Sequence, residues 1–144
     1  MIVVDTNVLV YAADEDSPFH ERCRERLEDL RKRPDAWYTS WAIIYEVLRV
    51  VTHARVLRRP WDVPHAWRFV SALLASPGLG VLVATPRHPN VAAAVFEEVP
   101  HLAGNVLRDA HTAVLMREHG LRRILTRDTD FHRFPFLEPV DPLS

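Results

Sequence analysis

Ile2-Val3-Val4-Asp5-Thr6-Asn7 is the stretch whose reading decides the fold. Ile2 to Val4 is a short apolar run rich in β-branched side chains, and it stops abruptly at Asp5. That pattern predicts a fully buried strand followed by a polar turn over Asp5 to Asn7. A strand buried on both faces belongs to a parallel sheet covered by helices, so the rest of the chain should alternate strands with helices. Phe19 to Arg33 sets Phe19, Cys23, Leu27 and Leu30 at helical spacing among charges, an amphipathic helix. Ala36 to Thr39 predicts a second strand, and Ser40 is placed to N-cap a helix through Ile43, Ile44, Val47, Leu48 and Val51. Pro60 to Pro64 breaks the chain before a helix over Ala66 to Ala75, which Ser76-Pro77-Gly78 closes. Gly80 to Ala84 reads as a third strand and Pro89 to Val99 as a helix. Asn105 opens a further helix that runs to Gly120 as its C′ residue. Ile124-Leu125 leads a strand into Thr126-Arg127-Asp128, and Leu137 to Val140 adds an edge strand bounded by prolines. The alternation predicts an α/β fold: a three-layer α/β/α sandwich around a central, mostly parallel β-sheet, formed by residues 1–144 as one domain.

Bulk properties narrow the function classes. The 144 residues, 48% of them hydrophobic, suffice for a sizeable core. No apolar run approaches the roughly 18 residues needed to span a bilayer, and Met1 to Asp5 lacks the basic flank of a signal peptide. The chain is therefore expected in the cytoplasm, with no membrane partner. Cys23 is the only cysteine, which excludes an internal disulfide and a thiolate zinc site. Eighteen basic against nineteen acidic residues leave a formal charge of −1. Any hold on nucleic acid must then be local or metal-mediated rather than spread over a basic surface.

The acids carry the chemistry. Asp5 and Asp128 each follow a short apolar strand, so a parallel sheet brings both to its carboxyl edge, where such sheets bind ligands. Glu46 shares a helix face with Ala42, Ile43 and Val50, and Asp109 lines up with Val106, Ala113 and Met116. Taken singly, Asp128 is an ordinary turn former; a carboxylate on an apolar helix face needs a partner. Gathering four carboxylates is unfavourable, because two like charges about 4 Å apart repel by roughly 4 kcal/mol at an effective dielectric of 20. Mg²⁺ or Mn²⁺ resolves that conflict through hard oxygen ligands, and phosphodiester hydrolysis is the reaction such a site supports. Thr6, Asn7 and Thr126 are placed to hydrogen-bond the Asp5 carboxylate, although turn chemistry explains them equally well.

Other features say less. Arg22, Arg24, Arg26, Arg31, Lys32 and Arg33 are interleaved with Glu21, Glu25, Glu28 and Asp29, which favours a solvated helix face over an RNA track. Arg127 and Arg133 flank the acids and are the better candidates for phosphate contacts. Among the tryptophans, Trp37 fits a core and Trp61 an interface. Eight histidines show no zinc-binding spacing, and no Gly-x-Ser-x-Gly elbow or phosphate-cradling glycine loop occurs.

On these residues the chain resembles the PIN-domain nucleases, above all the VapC-type toxins of toxin-antitoxin pairs. Four stretches carry the resemblance over nearly the whole length: Val4-Asp5-Thr6-Asn7-Val8-Leu9-Val10-Tyr11-Ala12, Tyr45-Glu46-Val47-Leu48, Arg108-Asp109-Ala110-His111-Thr112-Ala113 and Ile124-Leu125-Thr126-Arg127-Asp128-Thr129-Asp130-Phe131. The resemblance implies an endoribonuclease dependent on Mg²⁺ or Mn²⁺, with its acids at Asp5, Glu46, Asp109 and Asp128. It implies structured RNA such as tRNA or rRNA as substrate, a VapB-like antitoxin seated in the active-site groove, and a homodimer. Asp128 and Asp130 compete for the last ligand position. Asn105 and Ala113 stand where some relatives carry a second acid, which leaves one metal or two open. Two other readings remain beside it: a related domain that holds RNA or a partner without turnover, and a metal-dependent, structure-specific DNA nuclease.

Overall fold

The computed structural model describes residues 1–144. β1 (Ile2–Val4) is buried at every position, and because strand side chains alternate between faces, both faces of the sheet must be covered there. The polar turn expected next is instead the start of a helix, α1 (Thr6–Ala13). Asp5 is its N-cap and accepts a hydrogen bond from the Thr6 N–H, so the polar residues that read as a turn are a helix entry. α2 (His20–Lys32) follows the expected amphipathic pattern and buries Cys23 and Leu27. Its basic residues pair with acids three or four positions away, as in Arg24–Glu21, Arg31–Glu28 and Arg33–Asp29, which makes that face a solvated one.

β2 (Trp37–Ser40) runs directly into α3 (Trp41–Val51), with the Ser40 hydroxyl accepting from the Ile43 N–H at 3.2 Å. α4 (Val63–Leu74) begins before the prolines were expected to release it. Pro64 sits in the first turn, where its missing N–H costs nothing, and Asp62 caps the helix. β3 (Leu79–Leu82) and α5 (His88–Glu98) come next. α6 (Val106–Glu118) gives way to Gly120 at φ +70°, the left-handed stop expected of it. β4 (Arg123–Leu125), a 3₁₀ turn (Thr129–Arg133) and β5 (Glu138–Val140) complete the chain.

The five strands lie in the order β3-β2-β1-β4-β5 and every pairing is parallel. From β1 the chain steps outward through β2 to β3, then returns across the sheet to β4 and steps outward the other way. Right-handed crossovers put α1 to α4 on one face and α5 and α6 on the other, in keeping with the packing of α1 on α2 and α3 and of α5 on α6. A continuous cluster of 31 buried residues fills the space between layers, with Trp37 on one flank and Phe131, Phe134 and Met116 among its largest members. Trp61 stacks on His65 and meets Phe69 edge-on, so it packs within its own segment. No helix is long and apolar enough to cross a membrane.

Candidate active site

The strand order reverses between β1 and β4, and at such a switch point the loops leaving two neighbouring strands diverge and open a crevice. Asp5 leaves β1 there, and Thr126, Arg127 and Asp128 leave β4. Val3 is in register with Ile124 and Val4 with Leu125, so the two polar exits are side by side. A cleft of about 850 Å³ lies over them, walled by α1 and α3 on one side and by α6 on the other. Asp5, Glu46, Asp109, Asp128 and Asp130 all line it.

Hydrogen bonds fix the floor. Asp5 Oδ1 accepts from the Thr6 N–H at 2.7 Å, while Oδ2 accepts from the Thr126 hydroxyl at 2.7 Å and the Asn7 amide at 3.0 Å. Asn7 also donates to Thr126 Oγ1 and accepts from the Arg127 N–H. One side chain thus ties the start of α1 to the exit of β4. Thr126 Oγ1 accepts from the Asp128 N–H, and Asp128 Oδ1 accepts from the Asp130 N–H, capping the 3₁₀ turn. That cap holds the Asp130 backbone N–H on the Asp128 carboxylate. Carboxylate oxygens of Asp109, Asp128 and Asp130 lie within 4.8 Å of one another, so the structure admits both competitors for the last ligand position.

The electrostatics divide the acids in two. Burial, then repulsion from Asp128, Asp5 and Asp130 and a hydrogen bond shared with Asp128, push the Asp109 carboxyl up to about 7. Burial raises Asp5 to about 6, against the downward pull of the Thr126 and Thr6 hydrogen bonds and with the help of Asp128. No ion pair reaches Asp5, Asp109 or Asp128. At the rim, by contrast, Glu46 pairs with Arg49 and Arg108 and Asp130 with Arg133. The hydrogen bond from Arg49 holds the Glu46 carboxyl low against the opposing effect of burial, and the charges of Arg49 and Arg108 add to it. An unbalanced cluster of hard oxygens on fixed backbone is a donor set for a divalent cation, and Asp109, Asp128 and Asp130 with Asp5 beside them fit one.

The sequence-predicted residues are not all gathered equally. Glu46 lines the opposite wall and does not join the tight trio. Arg127 does not reach the cleft. Its guanidinium lies 4.3 Å above the Phe19 ring and 3.5 Å from Asp141, because the side chain leaves β4 towards α2, and its backbone N–H serves the site instead. Arg133 stays at the rim on Asp130. Arg49 and Arg108 were missed as neighbours of Glu46. The first is an i,i+3 pair visible in the sequence, while the second comes from 62 positions away and has no local signal.

The profile described as PIN domain matches residues 2–137. Ribonuclease VapC48 of Mycobacterium tuberculosis is 31% identical over 140 residues, covering 97% of this chain and 96% of the relative. Ribonuclease VapC43 of the same organism is 34% identical over 144 residues, covering 100% and 97%. Among solved structures, VapBC2 from Rickettsia felis, bound to a DNA fragment from its promoter, superimposes with a TM-score of 0.68 at 18% identity. That match covers 97% of this chain and 98% of the other, a likeness of fold. Profile, relatives and fold agree: the chain belongs to the PIN domain family, among its VapC-type members.

Proposed function

We propose that the protein is an endoribonuclease that depends on Mg²⁺ or Mn²⁺ and acts as the toxin of a VapBC-type toxin-antitoxin pair. The observation that carries this reading is the trio of Asp109, Asp128 and Asp130 oxygens within 4.8 Å of one another, beside the buried Asp5 at the switch point of a parallel sheet. Its relatives VapC48 and VapC43 are both ribonucleases, and the VapBC2 neighbour is a VapBC assembly on promoter DNA. We assign structured RNA, tRNA or rRNA, as substrate, a VapB-like antitoxin as partner, a homodimer as the working form and the cytoplasm as its place. Residues 1–144 act as one nuclease unit.

A divalent ion bound here would supply activation of the attacking water and charge stabilisation for in-line displacement at phosphorus. Asp109, Asp128 and Asp130 would hold it, with Asp5 bounding the site from the floor. Thr126 and Asn7 occupy Asp5 Oδ2 with two donors, which fixes the carboxylate's rotation and leaves Oδ1, with the Thr6 N–H as its one donor, the less occupied oxygen. Glu46 faces the trio across the cleft as the fifth acid of the site. Arg133, at the rim, contacts the RNA backbone.

Purified protein with Mn²⁺ or Mg²⁺ is expected to cut a folded RNA, and Asp5→Asn and Asp109→Asn are each expected to lose at least about 100-fold in rate. Gel resolution of 5′-labelled tRNA and rRNA fragments measures this. Full activity in EDTA, or in both variants, would refute the assignment.

A further inference from the structure

Five carboxylates line the cleft, and Arg108 is the only lysine or arginine among its lining residues. An RNA backbone entering this space meets net negative charge, so a cation inside the cleft has a task that the rim arginines do not share. Arg108 stands beside Asp109 on α6 and reaches over to Glu46 on α3, Nη1 to Oε1 at 3.2 Å. That contact is a single hydrogen bond from a side chain 64% exposed. Arg49, in contrast, holds Glu46 through both Nε and Nη2, with distances from 2.6 to 3.2 Å, from the same helix. Exposed one-bond ion pairs are weak and exchange readily. A phosphate offers the guanidinium two oxygens in the fork geometry it fits best.

We propose that Arg108 is an exchanging cation: in the free protein it shares Glu46 with Arg49, and when RNA enters it transfers to a backbone phosphate, leaving Glu46 with Arg49 as its single cationic partner and one positive charge fewer opposing the divalent ion. This rests on the nuclease reading above. Arg108 is a substrate-binding residue in this scheme and a positioning residue for Glu46. Its two roles have opposite consequences for its removal. Without Arg108, Glu46 loses a competing cation and the cleft becomes more negative, so divalent ions bind better. RNA, deprived of its one cationic contact inside the cleft, binds worse.

Arg108→Ala and, at nearly the original length, Arg108→Gln test this in the full-length protein. Titration with Mn²⁺ alone, followed calorimetrically, should show about two- to fivefold tighter binding in both variants. Anisotropy of a fluorescein-labelled RNA hairpin in EDTA, where no cleavage intervenes, should show at least about threefold weaker binding. The slope of log K against log[KCl] should flatten by about 0.7 to 1, the loss of one phosphate contact. Arg49→Ala, which removes the other partner of Glu46 from outside the cleft lining, should tighten Mn²⁺ binding without flattening that slope. Unchanged or weaker Mn²⁺ binding in the Arg108 variants, or a salt slope equal to that of the unsubstituted protein, would overturn the proposal. If the unsubstituted protein cleaves RNA while these affinities stay fixed, the exchange fails and the nuclease reading stands. If it cleaves no RNA yet the affinities move as stated, the nuclease reading fails and the exchange survives as RNA binding.

Discussion

Asp109 concentrates the strain of the site in one carboxyl group. Its ordinary range near 3.8 is raised to about 7 in the folded chain. The folded state therefore binds more protons than the unfolded one between those limits, and stability falls as pH rises through them. With metal removed, Asp109→Asn should reverse the usual cost of altering a buried polar residue. We expect the variant to gain on the order of 1 kcal/mol at pH 8, after solvent screening of this half-buried group, and to gain nothing below pH 3.8. Urea unfolding in EDTA at several pH values measures it, and a variant no more stable than the parent at pH 8 would contradict it. The position of Asp109 on an apolar helix face was legible in the sequence, as was the hydrogen bonding of Asn7 and Thr126 to Asp5. The contact of Arg108 with Glu46 was not, since nothing local to either residue encodes a pairing between different helices. Arg127 misled for a related reason: adjacency to an acid in sequence says nothing about the direction in which a side chain leaves a strand.

Between elements, Glu118 shows how the second face is fastened. It is fully buried at the end of α6 and accepts from His88 Nδ1 at 2.6 Å, near the start of α5, and from both the hydroxyl and the N–H of Thr85 in the loop after β3. Burial works to raise its carboxyl, but the hydrogen bonds from Thr85 and His88 outweigh it and bring it down to about 2. A lowered carboxyl stabilises the fold above its unfolded range near 4.5 and loses that contribution as pH falls towards 2. Glu118→Gln should cost about 1–3 kcal/mol at pH 6, and the gap between variant and parent should close on acidification through that window. Thermal melts from pH 6 to pH 2 read this directly, and a gap that stays constant would mean the charge plays no part. Neither this anchor nor α1 was visible beforehand. α1 is short and buries Val8, Leu9, Val10, Ala12 and Ala13 around most of its circumference, so it shows no polar face to mark a helical period. α2 and α3, each with one wet side, were read correctly along with the Ser40 cap.

For the molecule as a whole, alternation of strands and helices sufficed to predict the layered α/β fold, although all five strands are only three or four residues long. Strand order was beyond reach, because a three-residue strand such as β1 or β4 carries no label for its neighbour. That order makes the acid cleft, and the acids make the free protein less stable than its core allows. Saturating Mn²⁺ should raise the melting temperature by several degrees, since an ion at 100 times its Kd contributes about 2.7 kcal/mol, and Asp109→Asn should abolish most of the rise. Differential scanning fluorimetry with and without Mn²⁺ checks it; equal shifts in both proteins would place the ion elsewhere. The tie between Asn7 and the Thr126–Arg127 segment has one last consequence. Thr126 and Arg127 lie 119 and 120 positions beyond Asn7, so a growing polypeptide has no finished floor until residue 127 has left the ribosome. The two strand exits under the acids are therefore locked together late in synthesis, after every α-helix has been made.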